Sequence, residues 1–117
     1  MANNKTEAGK PTRVTVVLHL NVVFKDIEYH IEHDTIPCIR RGAKEFITKL
    51  HKLNKFFITL CYDDAKYYIK AKEWARMHGI ERYISYIKQY ETRTAMDINL
   101  SFLARYGFNN IYGQLKE

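Results

Sequence analysis

The sequence is short of the residues that cross-link or anchor a chain. Its 117 residues include only two cysteines and two prolines. Cys38 and Cys61 each lie in an apolar stretch, which favours buried thiols in a reducing intracellular compartment over a secreted disulfide framework. No apolar run approaches the roughly 20 residues that a membrane-spanning helix requires. With 46% hydrophobic and 27% charged residues, the composition instead predicts one soluble domain with a single core.

The start of the chain lacks an apolar segment. Residues 1–12 are polar and contain a single acid, Glu7, so a secretory signal is not indicated. We expect residues 1–12 to form a flexible extension and residues 13–117 to form a single domain. A processed mitochondrial sequence would leave a start of this kind.

Acidic residues are scarce in one part of the chain, although the formal net charge of the whole chain is only +6. Between residues 40 and 55, Glu45 is the only acid. The basic residues of that segment are Arg40, Arg41, Lys44, Lys49, Lys52 and Lys55. Two interpretations remain open: a surface for an anionic partner, such as RNA or an acidic protein face, or a solvated helix face in a basic protein.

The hydrophobic pattern of the first half predicts four elements. Residues 13–20 form a β-branched, almost continuous apolar run, as expected for a strand buried on both faces. Residues 27–32 alternate apolar and polar side chains, which predicts a half-exposed strand, a flap beside the main sheet. Helical spacing runs from Ala43 to Leu53, and residues 56–61 predict a second buried strand.

The second half continues the alternation of strands and helices. A helix is expected up to Gly79, followed by a third strand over residues 83–87. A last helix is expected from near Asp97 to Gly107, and a short fourth strand over residues 110–112. This order predicts an α/β fold: a mostly parallel sheet of about four strands, with right-handed crossovers and helices on both faces.

Three segments, taken in order, resemble a known family. Residues 41–47 resemble an R-P-G-x-x-x-F-L segment without its proline, residues 79–84 a turn into the third strand, and residues 96–103 a k-D-L-s-x-L segment. They are similar to the haloacid-dehalogenase-like (HAD) superfamily, in the branch of RNA polymerase II carboxy-terminal-domain phosphatases and the mitochondrial inner-membrane translocase receptor. The resemblance covers residues 13–113 and implies a Rossmann-like core with a β-flap after the first strand.

The catalytic acids of that family are missing here. Its first strand carries D-x-D-x-T, and the matching positions are His19, Asn21 and Val23, which supply neither a carboxylate nucleophile nor a magnesium ligand. Its metal-binding acids, expected after strand four, would fall near residues 113–114, which are Gly and Gln. The resemblance therefore implies a catalytically inactive domain, a pseudophosphatase without a cofactor or small-molecule substrate.

Two residues keep enzymatic alternatives open. His19 at a strand end would suit histidine phosphotransfer, and Cys61, ahead of a helix amino terminus, would suit a thiol nucleophile. A hydrogen-bonded histidine and a buried structural cysteine are the simpler interpretations. His30 and His33, taken with His19, do not complete a tetrahedral zinc set, so we predict no metal site.

Aromatic and basic residues beyond the needs of a core predict a binding surface. The chain has nine tyrosines, and tyrosine and arginine are enriched in protein interfaces. We expect an accessory subunit of a larger protein assembly, in the mitochondrion rather than the cytoplasm or nucleus. The alternatives are a basic RNA-binding module, a ribosome-associated protein or an unorthodox phosphotransfer enzyme. The expected partner-binding residues lie on the flap and the first long helix: Phe24, Tyr29, His30, Arg40, Arg41, Lys44 and Lys52.

Overall fold

A computed structural model describes residues 13–91 and 96–117, and in this part of the chain four strands form one parallel sheet. The strands are β1 (Val14–His19), β2 (Phe56–Tyr62), β3 (Tyr86–Gln89) and β4 (Met96–Ile98). Their spatial order is β3-β2-β1-β4, so β1 pairs with both β2 and β4. The predicted α/β class and parallel sheet are confirmed. The predicted flexible extension lies outside the described residues.

Five α-helices connect or follow the strands in the described ranges. They are α1 (Leu20–Val23), α2 (Ile27–His33), α3 (Ala43–Leu53), α4 (Tyr68–Met77) and α5 (Leu100–Leu115). Short 3₁₀ turns at Ala65–Tyr67 and Glu81–Tyr83 flank α4. Gly107 interrupts α5 with φ 76° and ψ 157°, a backbone conformation that favours glycine, so the two halves of α5 differ in direction.

One face of the sheet carries the core. Its fully buried strand residues are Val16, Leu18, Ile58, Leu60 and Ile98. They form one hydrophobic cluster with side chains from all five helices. Trp74 of α4 is completely buried in this cluster, and the ring of Phe24 meets the Trp74 ring edge-on at 5.8 Å between centroids. The helices therefore form a single layer against this face.

The opposite face of the sheet lies outside that cluster. Paired residues of parallel strands project to the same side, so the register places nine side chains together there: Thr15, Val17, His19, Phe57, Thr59, Cys61, Tyr86, Lys88 and Asp97. None of the nine belongs to the core cluster. We call these nine residues the open face. A helix layer on this second face, expected from the sequence, is not found among the described residues.

The prediction of a β-flap at residues 27–32 is wrong. Its residues form α2 instead, between Asp26 and Asp34, whose backbones both adopt left-handed conformations. Ile27 and Ile31 are four residues apart, so a helix brings both side chains to one side, where they contact the core. Near this helix, the described residues form one isolated antiparallel bridge, between Phe24 and Ile39.

The last two predicted strands are also placed differently. The third strand starts at Tyr86, because the chain first makes the 3₁₀ turn Glu81–Tyr83. Residues 110–112, predicted as the fourth strand, are helical and belong to α5, where Ile111 is buried in the core. The fourth strand is Met96–Ile98, at the position where the last helix was expected to begin.

Helix α3 provides a test of this packing. Leu50 is completely buried, so Leu50→Ala should lower the free energy of unfolding by about 2–5 kcal/mol. Lys52→Ala, at an exposed position of the same helix, should change it by less than about 0.5 kcal/mol. Chemical denaturation followed by fluorescence of Trp74, the only tryptophan, measures both values. Equal losses would show that the buried face of α3 is assigned wrongly.

Candidate functional site

The carboxyl edge of the sheet brings together residues from three strands. His19 ends β1 and pairs with Cys61 of β2, while Asp97 of β4 pairs with Val17, two residues before His19. The chain runs from β1 to β2 on one side, and β4 lies on the other side. In open α/β sheets, ligands bind at the carboxyl ends of strands where the strand order reverses in this way.

Asp97 is the centre of a hydrogen-bonded group at this edge. Nε2 of His19 donates to Oδ1 of Asp97 at 2.6 Å, and the Tyr90 hydroxyl donates to Oδ2 at 2.8 Å. The rings of His19 and Tyr90 lie beside each other, with centroids 4.9 Å apart. Each carboxylate oxygen of Asp97 is thus engaged by a donor from the protein, and the imidazole is fixed in orientation.

Asp97 is a site residue that the sequence pattern does not reveal. The predicted fourth strand at residues 110–112, and the positions 113–114 where acids were expected, lie within α5. In the structure, strand four is β4, and the carboxylate of Asp97 lies directly beside His19. The expected position of the fourth strand is therefore wrong, and the strand found in its place carries a single aspartate, Asp97. A three-residue strand has too little periodicity to be recognised, so the sequence contained no clear signal.

A cavity of about 380 Å³ opens at the same edge, between β1, β2 and the start of α2. Its lining includes His19, Leu20, Asn21, Ile27, Glu28, Cys61, Tyr62, Asp63, Asp64, Lys66 and Tyr67. We call it the edge cavity. The described lining contains three carboxylates and one ammonium group. Within the described part of the chain, Oδ1 of Asn21 and the hydroxyl of Tyr67 are buried without a hydrogen-bond partner of good geometry.

The electrostatics at this edge are negative. Burial raises the pKa of the Cys61 thiol to about 12, with the charges of Asp97 and Asp63 adding to the effect. Burial, and then the charges of Glu28 and Asp64, raise the pKa of the Tyr67 hydroxyl. The hydrogen bond to Asp97, followed by burial, raises the pKa of Tyr90. A thiolate at Cys61 is therefore unfavourable, which argues against Cys61 as a nucleophile.

The three positions that match the family's catalytic motif have different surroundings. His19 binds Asp97, and Asn21 lines the edge cavity. Val23 is fully buried in the core and faces no site. These residues therefore do not form one catalytic group.

Two of the expected partner-binding residues are not freely available. Phe24 is 0% exposed and packs on Trp74, so its assignment to a partner surface is wrong. Arg40 is half-buried, and its Nε donates to the backbone oxygen of Asn21 at 2.7 Å. Arg40 therefore also holds the α1 region in place.

The other expected partner-binding residues lie at or near the surface. Tyr29 is exposed and stacks on His33 with ring centroids 4.0 Å apart. His30 is half-buried, and its Nδ1 lies 2.7 Å from the Thr35 hydroxyl. The side chains of Arg41, Lys44 and Lys52 are exposed.

A second, basic cavity lies beside the bend of α5. It has a volume of about 350 Å³ and is lined by Lys25, Arg40, Arg41, Leu103, Gly107 and Phe108. None of its lining residues in the described ranges is acidic. The two cavities therefore differ in the sign of their charge, and the basic one adjoins the predicted basic surface.

Comparisons with known proteins do not assign the chain to a family. No protein-family model matches the sequence, and no curated protein or solved structure matches it significantly. Among the described residues, no group of three or more His, Cys, Asp or Glu side chains is arranged to hold a metal ion. In that part of the chain, no helix has both the length and the apolar character needed to cross a membrane.

The two cysteines allow a test of the edge chemistry. Cys38 is exposed, whereas Cys61 is buried with a pKa near 12. At pH 8, maleimide should modify Cys38 at least roughly 100-fold faster than Cys61 in the folded protein, because only a thiolate reacts. Peptide mass spectrometry, with Cys38→Ser and Cys61→Ser proteins as references, measures the two rates. Comparable rates before denaturation would restore Cys61 as a candidate nucleophile.

Proposed function

We propose that this chain is a catalytically inactive HAD-like domain, a pseudophosphatase, that acts as an accessory subunit of a larger protein assembly. The proposal places it in a reducing intracellular compartment. Among such compartments we favour the mitochondrion, because the branch that the sequence resembles includes a mitochondrial receptor and the sequence pI is about 9.3.

The open face is the observation that carries this proposal. Parallel sheets occur almost only with both faces covered, since their strands are apolar on both sides. Here Val17 and Phe57 are only partly buried and Tyr86 is 53% exposed, whereas Thr59 and Cys61 of β2 are buried. An apolar surface of this kind marks an interaction site. A partner that covers it would complete the second layer of the fold.

The side chains at this face indicate the chemistry of the partner. The guanidinium of Arg13 lies 5.3 Å from the centre of the Phe57 ring, and the ammonium of Lys88 lies 5.8 Å from that of Tyr86. A protein surface with an apolar centre and carboxylates around it would match this combination of rings and cations. We therefore propose a protein subunit as the occupant.

The carboxyl edge supports the absence of phosphatase activity. The nucleophile and acid positions hold His19 and Asn21, and both oxygens of Asp97 are engaged by protein donors. The surrounding carboxylates give the edge cavity a negative charge, which repels a phosphate dianion. A phosphoryl-transfer site needs the opposite electrostatics.

A direct assay tests the catalytic part of the proposal. With Mg²⁺ and an aryl phosphate or a phosphoserine peptide, the purified protein should show no turnover above a heat-inactivated sample. His19→Asp combined with Asn21→Asp should also remain inactive, because catalytic groups act as a unit. Magnesium-dependent turnover that disappears in His19→Ala would contradict the proposal.

Two tyrosines with matched surroundings test the partner surface. Tyr86 of the open face and Tyr68 of α4 are 53% and 42% exposed, and each ring lies near a lysine ammonium. When tagged chain is purified from native cells, Tyr86→Glu should reduce the yield of stoichiometric partner by about tenfold or more. Tyr68→Glu should leave that yield within about twofold. Both proteins should keep the thermal unfolding transition of the wild type.

The basic helix is tested in the same purification. Helix α3 lies on the other side of the sheet from the open face, so a partner that also extends to α3 should be released by charge reversal at Arg41 and Lys44. The isolated domain should stay folded, because exposed charges contribute little to folding. If the double variant stays bound, the basic face is merely solvated. If Tyr86→Glu and Tyr68→Glu have equal effects, the open face is not the interface.

RNA binding is a second candidate, favoured by one observation. Lys25, Arg40 and Arg41 line a cavity to which no described acidic residue contributes, and Phe108 lines it with them. Aromatic rings among cations are typical of single-stranded RNA sites. Binding through several phosphates would weaken steeply between low and moderate salt, whereas a protein interface with an apolar centre would not.

A further inference from the structure

The edge cavity contains acidic groups whose charge the described residues leave unbalanced. Glu28 and Asp63 line it, and neither carboxylate forms an ion pair with a residue in the described ranges. Asp64 accepts a hydrogen bond from the backbone N–H of Lys66 at 3.0 Å, which leaves its charge in place. Among the described residues that line the cavity, Lys66 is the only Lys or Arg. The cavity therefore has a negative charge within a basic protein.

A second and independent feature is a pair of polar groups without partners. Tyr67 is only 4% exposed, and its hydroxyl has no hydrogen-bond partner of good geometry among the described residues, although a hydrogen bond with Glu28 is among the causes that raise its pKa. Oδ1 of Asn21 is also buried, and no described residue donates to it. Both residues line the cavity. Buried polar groups are nearly always hydrogen-bonded in native proteins, so these two indicate a missing partner.

Together these groups define what the missing partner must supply. Carboxylates and an amide oxygen accept hydrogen bonds, so the ligand must donate several and carry positive charge. Phosphate and carboxylate ligands have the wrong charge. A metal ion is also a poor match, because the acids are not grouped at ligand distances within the described part of the chain. An ammonium or guanidinium group meets each requirement.

We propose that the edge cavity is a binding site for a positively charged amine or guanidinium group. The carboxylates of Glu28 and Asp63 balance its charge, Oδ1 of Asn21 accepts one N–H, and the oxygen of Tyr67 accepts another. The volume of about 380 Å³ exceeds the size of one such group and admits the carbon chain that carries it. The source is either a free small molecule or a Lys or Arg side chain of another protein.

This site does not depend on the accessory-subunit function. Glu28, Asp63 and Tyr67 lie outside the open face, so their variants do not alter the surface tested with Tyr86. Loss of cation binding with partner binding intact, or the reverse, would therefore assign failure to one proposal and not to the other.

A nuclear magnetic resonance titration of the full chain tests the site. Agmatine should cause saturable shifts of the backbone amides of Asn21, Glu28 and Tyr67. Glu28→Gln, and separately Asp63→Asn, should weaken binding by about tenfold, since each removes a charge-assisted hydrogen bond. Glu32→Gln is the matched control: the residue lies on α2 like Glu28 but does not line the cavity. Its affinity should stay within about twofold of wild type.

The same titration with a neutral-capped Gly-Arg-Gly tripeptide distinguishes the two sources. Tighter binding of the tripeptide would identify a protein side chain, and tighter binding of agmatine a free small molecule; both outcomes support the site. The proposal is overturned if neither probe gives saturable shifts below about 10 mM. It is also overturned if inorganic phosphate shifts the same residues, or if Glu32→Gln weakens binding as much as Glu28→Gln.

Discussion

The pairing of β1 with a parallel strand on each side is the constraint on which the structure depends. The steps from β1 to β2 and from β2 to β3 go in the same direction along the sheet. Right-handed crossovers therefore place α3 and α4 on the same face. Helix α5 joins that layer, where Phe108 contacts Phe46 of α3 at 5.0 Å between ring centroids. The strand order therefore explains why the described helices cover only one face of the sheet.

Acidic and basic side chains lie in different parts of this fold. Basic side chains line the cavity beside the bend of α5, while the carboxyl edge of β1 and β2 carries the acids. The net charge of +6 is a property of the whole chain and does not indicate the charge of either cavity. A diffusing anion and a diffusing cation would be attracted to different parts of this molecule, which allows two kinds of ligand to bind without competition.

The elements predicted well from sequence are those with strong local patterns. Residues 14–19 and 56–62 are almost continuous apolar runs, and the apolar residues of α3 recur at helical spacing alone. Ile27 and Ile31 are misleading because their spacing fits both a strand period of two and a helical repeat of four. Asp97 could not be placed, because its strand is defined by pairing with β1 and its partner His19 is 78 residues away.

The position of β4 also has a consequence for how the chain is made. Strand β1 pairs with β4, which consists of residues 96–98. The described sheet is therefore incomplete while these residues are still inside the ribosome. Until then one edge of β1 has unpaired backbone groups, which is the type of surface that chaperones shield. Completion of the sheet is thus a late step of synthesis, because pairing β1 with β4 joins residues as far apart in the chain as 16 and 96.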